Sequence, residues 1–438
     1  MGVTGGTRAL VVGVAAAVVL LGSTATEPVR AQEDGAVIRD SAGVTVVENA
    51  PLDENGQVGV GPGADGLRLA ASPALEIGSV SGEGPEVFHR IQGAVRLSDG
   101  RIAVADGGSG EIRIFGPDGE HIRSVGGPGG GPGEFTPSFG GATGLVALEG
   151  TAGDTLRAYD MMASRVTVFA PDGSFVRTVS LASLPGPLGS RPGPVGWLED
   201  GTFVARARRT DGQEIPRSPE GTIHRSVETL VFYGPGGEVR DTVGRFAGDE
   251  EFLAISRPDD SGQISIGTTA VPFARSLAAA AGPARVAATP TERRAIRVFR
   301  ADGRLERIVL HGRRPKPVDG DRWEAWVERY LASVEEESRR RRLRNQFRRM
   351  PRPATAPAIG RVLLDRRGRL WVRDFRPLTR EDRSSRWTVH DRRGRRRAAV
   401  ELPARFRPTD IGPDWVMGVW EDELEVQRVR LYELQGTG

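Results

Sequence analysis

The chain has 438 residues, a formal net charge of +3, no Cys, 59 Gly and 30 Pro. Without Cys, disulfides contribute nothing, and a Gly plus Pro share of roughly a fifth fits many turns rather than disorder. The 60 basic residues are nearly all Arg, with Lys316 the single lysine, and they are interspersed with 57 acidic ones. Nucleic-acid binding needs a clustered basic face, so no nucleic-acid partner is expected.

The N-terminus reads as a targeting segment. Arg8 precedes an apolar stretch from Ala9 to Gly22, and Val29-Arg30-Ala31 supplies small or Val residues at −3 and −1 of a cleavage site. A signal peptide over 1–31 is expected, leaving Gln32 first. The apolar core is short and rich in Ala and Gly, so no stable membrane span is expected after cleavage. No Cys follows it to carry a lipid anchor. The folded part is therefore expected in the periplasm or outside the cell.

Residues 32–73 form an N-terminal extension and linker, with one strand-like run, Gly43-Val44-Thr45-Val46-Val47-Glu48. Gly61-Pro62-Gly63-Ala64-Asp65-Gly66 matches a bare GxGxxG. It is discarded as a phosphate loop because no convincing helix follows it.

From Ala74 a strand–turn–strand unit recurs. Its clearest copies are Glu111-Ile112-Arg113-Ile114-Phe115-Gly116-Pro117-Asp118-Gly119 and Arg165-Val166-Thr167-Val168-Phe169-Ala170-Pro171-Asp172-Gly173. Weaker copies end at Gly237, Gly303 and Gly394, and a sixth run, Val426–Tyr432, lies near the C-terminus. Four strands are expected per unit: 93–97, 101–106, 111–115 and 121–125 in the first, and 144–148, 155–160, 165–169 and 174–179 in the second. Further units are expected over 195–243, about 263–310, 362–402, and from near Trp415 to Leu434. Asp-Gly pairs mark hairpin turns because Gly tolerates positive φ. The last unit runs out of chain after three strands. Ala74-Leu75-Glu76-Ile77-Gly78 precedes the same kind of loop that follows a fourth strand elsewhere, so it is expected to complete that unit and remove an open sheet edge.

The start Ser41-Ala42-Gly43-Val44-Thr45-Val46-Val47-Glu48-Asn49 and the loop Gly82-Glu83-Gly84-Pro85-Glu86-Val87-Phe88 resemble those of exported bacterial six-bladed β-propellers of the NHL-repeat type. The resemblance covers about 40–435. It implies an all-β, six-bladed propeller over 74–435, closed by pairing N- and C-terminal strands. It implies little about function, since propellers host many activities.

One helical insertion, 321–350, interrupts the pattern. Trp323, Trp326, Val327, Tyr330, Leu331 and Val334 recur at helical spacing, and Trp323, Trp326 and Tyr330 are expected to turn inward. Glu335–Glu337 precede Arg339–Arg342 at pairing distance, and the Arg-rich half is expected to stay solvated.

Chemistry is sparsely signalled. There is no GxSxG elbow and no Walker motif, and His89, His121, His224, His311 and His390 form no HxH or HExxH. Asp106, Asp160 and Asp374 end second strands. A carboxylate ring there would suit Ca²⁺, but turn capping is the favoured role for repeated Asp residues, and no cofactor is expected. Glu83, Phe88, Glu134, Phe135, Glu251 and Phe252 occupy similar connections and form the candidate ligand-binding surface, against the alternative that the Phe residues plug the core. Two functions follow. The first is an exported binding or scaffold module recognising a protein, peptide or glycan through its loop face. The alternative is a metal-assisted lyase or lactone hydrolase with its site at the axis.

Overall fold

The computed structural model describes residues 30–33, 35–52, 66–82, 84–184, 186, 188, 191–209, 221–256, 265–377 and 384–436. The expected signal segment, up to residue 29, and all but Gly66 of the GxGxxG run lie outside these.

The described chain is mostly strand, arranged as successive antiparallel sheets. The first sheet holds Ile91–Arg96, Ile102–Asp106, Glu111–Phe115 and His121–Gly126, and the second Leu145–Thr151, Thr155–Asp160, Arg165–Phe169 and Phe175–Ser180. The third holds Gly193–Trp197, Phe203–Arg208, Ile223–Tyr233, Val239–Ser256 and Ser265–Ala270. The fourth begins at Leu277–Ala281 and continues through Arg285–Pro290, Ala295–Arg300 and Leu305–Leu310. The fifth holds Ile359–Leu364, Leu370–Asp374, Ser385–His390 and Arg396–Leu402. The last holds Phe406–Ile411, Trp415–Glu421 and Gln427–Gln435.

Two boundaries differ from the sequence expectation. Ser265–Ala270 pairs with Val239–Ser256, so it extends the third sheet instead of opening the fourth. The last sheet opens at Phe406, not near Trp415, because Phe406–Ile411 pairs with Trp415–Glu421. Pro408 sits in that first strand at a register shift, where a missing N–H is tolerated, and it hides the strand from a simple pattern search.

The sheets pack in a circuit. First strands of successive sheets lie side by side from the first sheet to the fifth, and the first strand of the last sheet returns beside Ile91–Arg96. Each neighbouring pair shares a buried apolar layer. Ala103 and Ile112 meet Leu148 and Leu156 between the first and second sheets, and Tyr159 meets Phe203 between the second and third. Trp371 and Trp387 meet Phe406 and Tyr432 between the fifth and the last. Ile91, Val104 and Phe115 meet Met417 and Leu431 where the last sheet meets the first. Sheets that line one axis and pack face to face on both neighbours make a β-propeller.

The repeated turns lock neighbours together. At Asp172-Gly173 the Gly N–H donates to Ala170 and φ is +84°. A Cβ there would lie 2.5 Å from Ile114 of the first sheet, so the turn needs Gly both for its φ and for its approach to the preceding sheet. The equivalent turn at Asp118-Gly119 packs on Leu75 and Ile77. Those residues belong to Leu75–Ile77, which pairs antiparallel with Val429–Leu431 on the edge of the last sheet.

The extension contains four strands where the sequence shows one: Arg30–Glu33, Ala36–Ser41, Val44–Asn49 and Arg68–Leu69. Ala36–Ser41 and Val44–Asn49 form a hairpin, and Val44–Asn49 runs parallel to Leu305–Leu310 on the edge of the fourth sheet. Asn49 ties this hairpin to the fifth sheet. Its side chain donates to Gly394 O (3.0 Å) and accepts from Arg396 N (2.8 Å).

The insertion is two helices rather than one: α1, Gly320–Ala332, and α2, Glu337–Arg349. Asp319 caps α1 by accepting from Arg322 N at 2.8 Å. The Ser333 hydroxyl and N–H both turn back onto the Tyr330 carbonyl and end α1, while Glu337 sits in the first turn of α2, where an acidic residue favours a helix start. Trp323, Trp326, Leu331, Phe347 and Met350 are buried against Phe252, Val271 and Phe273 of the third-sheet region, and Tyr330 is half-buried in the same cluster. The helices thus lie on the face where fourth strands connect to the next first strands, and most of the Arg residues of α2 face solvent.

Candidate functional site: the axial channel

Of the residues singled out in connections, Glu251 and Phe252 lie inside the strand Val239–Ser256, and the aromatic ones turn inward. Phe88 packs edge-on against Phe115 under the Arg113 guanidinium, Phe135 is fully buried between the first two sheets, and Phe252 is buried beneath the helices. The Glu134 carboxylate accepts from Gly131 N at 2.7 Å, and Glu251 pairs with Arg208 at 3.2 Å. Glu83 lies outside the described residues.

Two of the strand-end carboxylates are structural. Buried Asp106 accepts from the N–H groups of His89, Arg90 and Gly108 and lies 3.4 Å from the Arg113 guanidinium. Buried Asp160 accepts from Thr136, Met162 and Ala163 N–H groups and pairs with Arg165. Each carboxylate is consumed by its own connection. Asp374 is different. It pairs with Arg313 at 2.7 Å, leaves Oδ1 without a partner among the described residues, and is held above the usual carboxylate range by burial. Among the described residues no three His, Asp or Glu side chains converge to hold a metal.

Beside Arg313, in the cleft where the N-terminal hairpin meets the fourth and fifth sheets, His311 and His390 are fully buried with rings 5.7 Å apart. No nitrogen of either ring has a hydrogen-bond partner of good geometry among the described residues. Burial pushes both below the ordinary histidine value, His390 to about 4.

The open volume lies on the axis. A channel of about 440 Å³ is lined by Val95, Glu149–Thr151, Pro194, Val195, Trp197–Glu199, Ala279–Pro283, Arg361, Leu363–Arg366 and Thr409–Ile411. Every sheet contributes through its first strand or the turn after it, so the opening sits toward the end of the ring away from the helices. Its titratable groups are Glu149, Glu199, Arg361, Asp365, Arg366 and Asp410.

Most of these charges are committed. Asp410 accepts from Arg96 N at 3.0 Å and takes a forked pair from Arg366 at 2.9 and 2.6 Å. Asp365 takes the Arg369 Nε at 2.6 Å and the Trp371 indole N–H at 2.9 Å. Glu149 accepts from Trp197 N at 2.9 Å. It reaches that N–H across Gly196, whose φ of +148° and missing side chain open the way; a Cβ would stand 2.7 Å from the carboxylate. Burial first, with nearby Asp410 adding to it, pushes Glu149 up to about 8. Its carboxyl group keeps its proton at neutral pH. Glu199 is exposed at the mouth.

Arg361 is the exception. It stands opposite Arg373 in the strand register, a like-charge pair, and makes no hydrogen bond or ion pair among the described residues. Burial, with Arg407 and Arg373 nearby, lowers it to about 10, so it remains a cation at neutral pH. Sequence reasoning missed Glu149, Arg361 and Asp410 because they come from three sheets with no shared local motif. The available signal was a charged residue inside an apolar inner strand, Ile359-Gly360-Arg361-Val362-Leu363.

No family model matches the sequence, and no curated protein matches it. Solved structures do show an overall likeness. A Bacteroides fragilis protein aligns at 11% identity over 90% of this chain and 100% of its own, with a TM-score of 0.44. A DUF4221 family member from Bacteroides vulgatus aligns at 8% identity over 85% and 100%, with a TM-score of 0.41. Virginiamycin B lyase from Staphylococcus aureus aligns at 11% over 84% and 100%, with a TM-score of 0.36. Identities and scores this low transfer neither activity nor substrate to this chain.

Proposed function

We propose that this chain is an exported, six-bladed β-propeller that works as a binding module, with its ligand site in the axial channel. Export rests on Arg8, the apolar stretch 9–22 and the Val29-x-Ala31 site. Six blades rest on the strand count, with Leu75–Ile77 as the outer strand of the last. The observation that carries the binding reading is the channel itself: about 440 Å³, of ligand size, with polar side chains from the second, third, fifth and last sheets on an otherwise apolar wall. The loop-face alternative is weaker, because the aromatic residues that would make that surface attractive are buried. A melting screen against small polar metabolites tests the reading. Gly150 lines the channel, and a Cβ there meets nothing closer than Val95 at 4.0 Å, so Gly150→Phe plugs the opening without disturbing the sheet. Ligands that stabilise the wild type are expected to lose their effect on the plugged variant. Equal stabilisation of both places the site elsewhere.

A second reading has one specific observation behind it. Glu149, pushed up to about 8 and facing the channel, holds a proton at neutral pH as a general acid must. It would act in a lyase or hydrolase reaction on a channel-bound ligand. Turnover abolished by Glu149→Gln with binding retained is the outcome that selects it.

A further inference from the structure

One charged side chain that lines the channel, Arg361, has no ion-pair partner among the described residues. Arg361 projects from the inner strand of the fifth sheet. Its cross-strand neighbour Arg373 has a buried Nε without a partner among the described residues, and Arg407 of the last sheet stands close enough to repel it. Arg407 donates to the Ile91 carbonyl at 2.8 Å and has the Glu421 carboxylate nearby, so it is less exposed to repulsion than Arg361. Three other guanidinium groups among the described residues do have carboxylate partners. Arg113 has Asp106 and Glu111, Arg165 has Asp160, and Arg369 has Asp365. Of the carboxylates that line the channel with Arg361, Asp410 and Asp365 are taken by Arg366 and Arg369, Glu149 is protonated, and Glu199 is exposed at the mouth.

An unpaired cation inside a protein costs several kcal/mol and is normally matched by a countercharge. A guanidinium is a planar fork suited to two oxygens of one oxyanion, and it stays charged under conditions that would discharge a lysine. Arg361 is half-buried and lines the channel, so an anion in the channel can reach it.

We propose that the channel holds an oxyanion site, with Arg361 as the direct contact and Arg373 and Arg407 framing it, and that the ligand is a small molecule bearing a carboxylate or phosphate group. The inference rests on the axial-channel reading and adds the chemical class of the ligand. Arg361 supplies the fork. Arg373 and Arg407 raise the local positive potential and are in turn relieved by the bound anion. Protonated Glu149 leaves a hydrogen-bond donor, instead of a repelling charge, on the opposite wall.

The experiment measures melting of the full mature chain in sodium phosphate and in sodium succinate against sodium chloride at equal ionic strength, then titrates the effective anion by calorimetry. The wild type is expected to be stabilised by at least one of the two, since a ligand that binds only the folded state raises its stability. Arg361→Gln is expected to weaken that anion at least tenfold, with Arg361→Lys intermediate. Arg373→Gln gives an independent reading through the framing charge, with a smaller loss. Exposed Arg123→Gln is the control that leaves affinity unchanged. A response to phosphate alone assigns a phosphorylated ligand, and a response to succinate alone assigns an organic acid. Stabilisation that survives in both Arg361→Gln and Arg373→Gln overturns the oxyanion site. So does a neutral ligand whose binding is blocked by Gly150→Phe but indifferent to Arg361, an outcome that leaves the channel reading intact. If nothing binds and the plugged variant behaves as the wild type, the channel reading itself falls.

Discussion

The first and fifth sheets are built on one four-stranded plan and treat buried charge in opposite ways. At the end of the second strand of the first sheet, Asp106 gathers three backbone N–H groups and faces Arg113. At the same place in the fifth sheet, Asp374 takes no backbone N–H among the described residues and keeps one oxygen unpartnered. In the same sheet Arg361, Arg373 and His390 are also under-satisfied. A repeat maintained for folding alone would have the same solution in both sheets. Departure from it in one sheet, whose Arg361 lines the channel, marks where stability has been given up for another purpose.

The N-terminal segment touches both regions and gives the largest expected effect. Its Leu75–Ile77 strand seals the last sheet beside the first, while its hairpin leans on the fourth and fifth through Asn49. Removing residues up to 80 is expected to expose a sheet edge and abolish cooperative melting, with aggregation. Removing residues only up to 50 is expected to leave a cooperative but lower melt. If calorimetry shows the same loss for both, the hairpin rather than the closing strand holds the ring.

Next in size is the pair of Asp to Asn changes. In Asp106→Asn an amide group replaces one of two oxygens that face only donors, and Arg113 loses a buried countercharge. That loss is expected to cost about 3–5 kcal/mol in chemical denaturation. Asp374→Asn still accepts from Arg313 and no longer needs to ionise in a buried place, so about 1 kcal/mol is expected. Equal costs would erase the contrast between the sheets.

These contrasts also explain which parts of the molecule the sequence reveals. The Asp-Gly turns, the alternation around Ile112, Ile114, Val166 and Val168, and the Leu75–Ile77 strand show themselves because each obeys a local rule of turn chemistry or period. The aromatic stripe of α1 shows itself for the same reason, whereas the break before α2 depends on hydroxyl and backbone bonds to Tyr330 that no periodicity encodes. Phe88, Phe135 and Phe252 recur so regularly because each fills a gap in the core, and regularity alone does not separate a plug from a contact surface. Glu149, Arg361 and Asp410 meet only when the ring closes.

The acid limb of the stability curve sharpens the comparison further. His390 in the fifth sheet is held at about 4, against about 6.5 for an exposed histidine. Between those values the unfolded chain binds the extra proton and the folded chain does not. The contribution of His390 is therefore complete above about pH 6.5, is lost as pH falls, and levels off below about 4. The shift corresponds to about 3 kcal/mol. His390→Leu should flatten this part of a pH–stability profile. An unchanged acid limb would mean that the ring protonates without cost, contrary to its burial.

The smallest effect has the opposite sign from an ordinary buried arginine. Arg113→Met in the first sheet leaves Asp106 without its cation and should cost about 3 kcal/mol or more. Arg373→Met in the fifth removes one member of the Arg361–Arg373 pair, and its Nε gives up no hydrogen bond among the described residues. A flexible apolar side chain of similar length fills the same space between Trp387 and the channel strand. Removing like-charge repulsion and the burial of a cation should then make Arg373→Met neutral, or more stable by up to about 1 kcal/mol. Urea denaturation at neutral pH in low-phosphate buffer checks it, because a bound oxyanion would stabilise the wild type and mask the gain. A loss as large as that of Arg113→Met would show that Arg373 is a structural arginine with a countercharge, and the opposite treatment of charge in the two sheets would disappear with it.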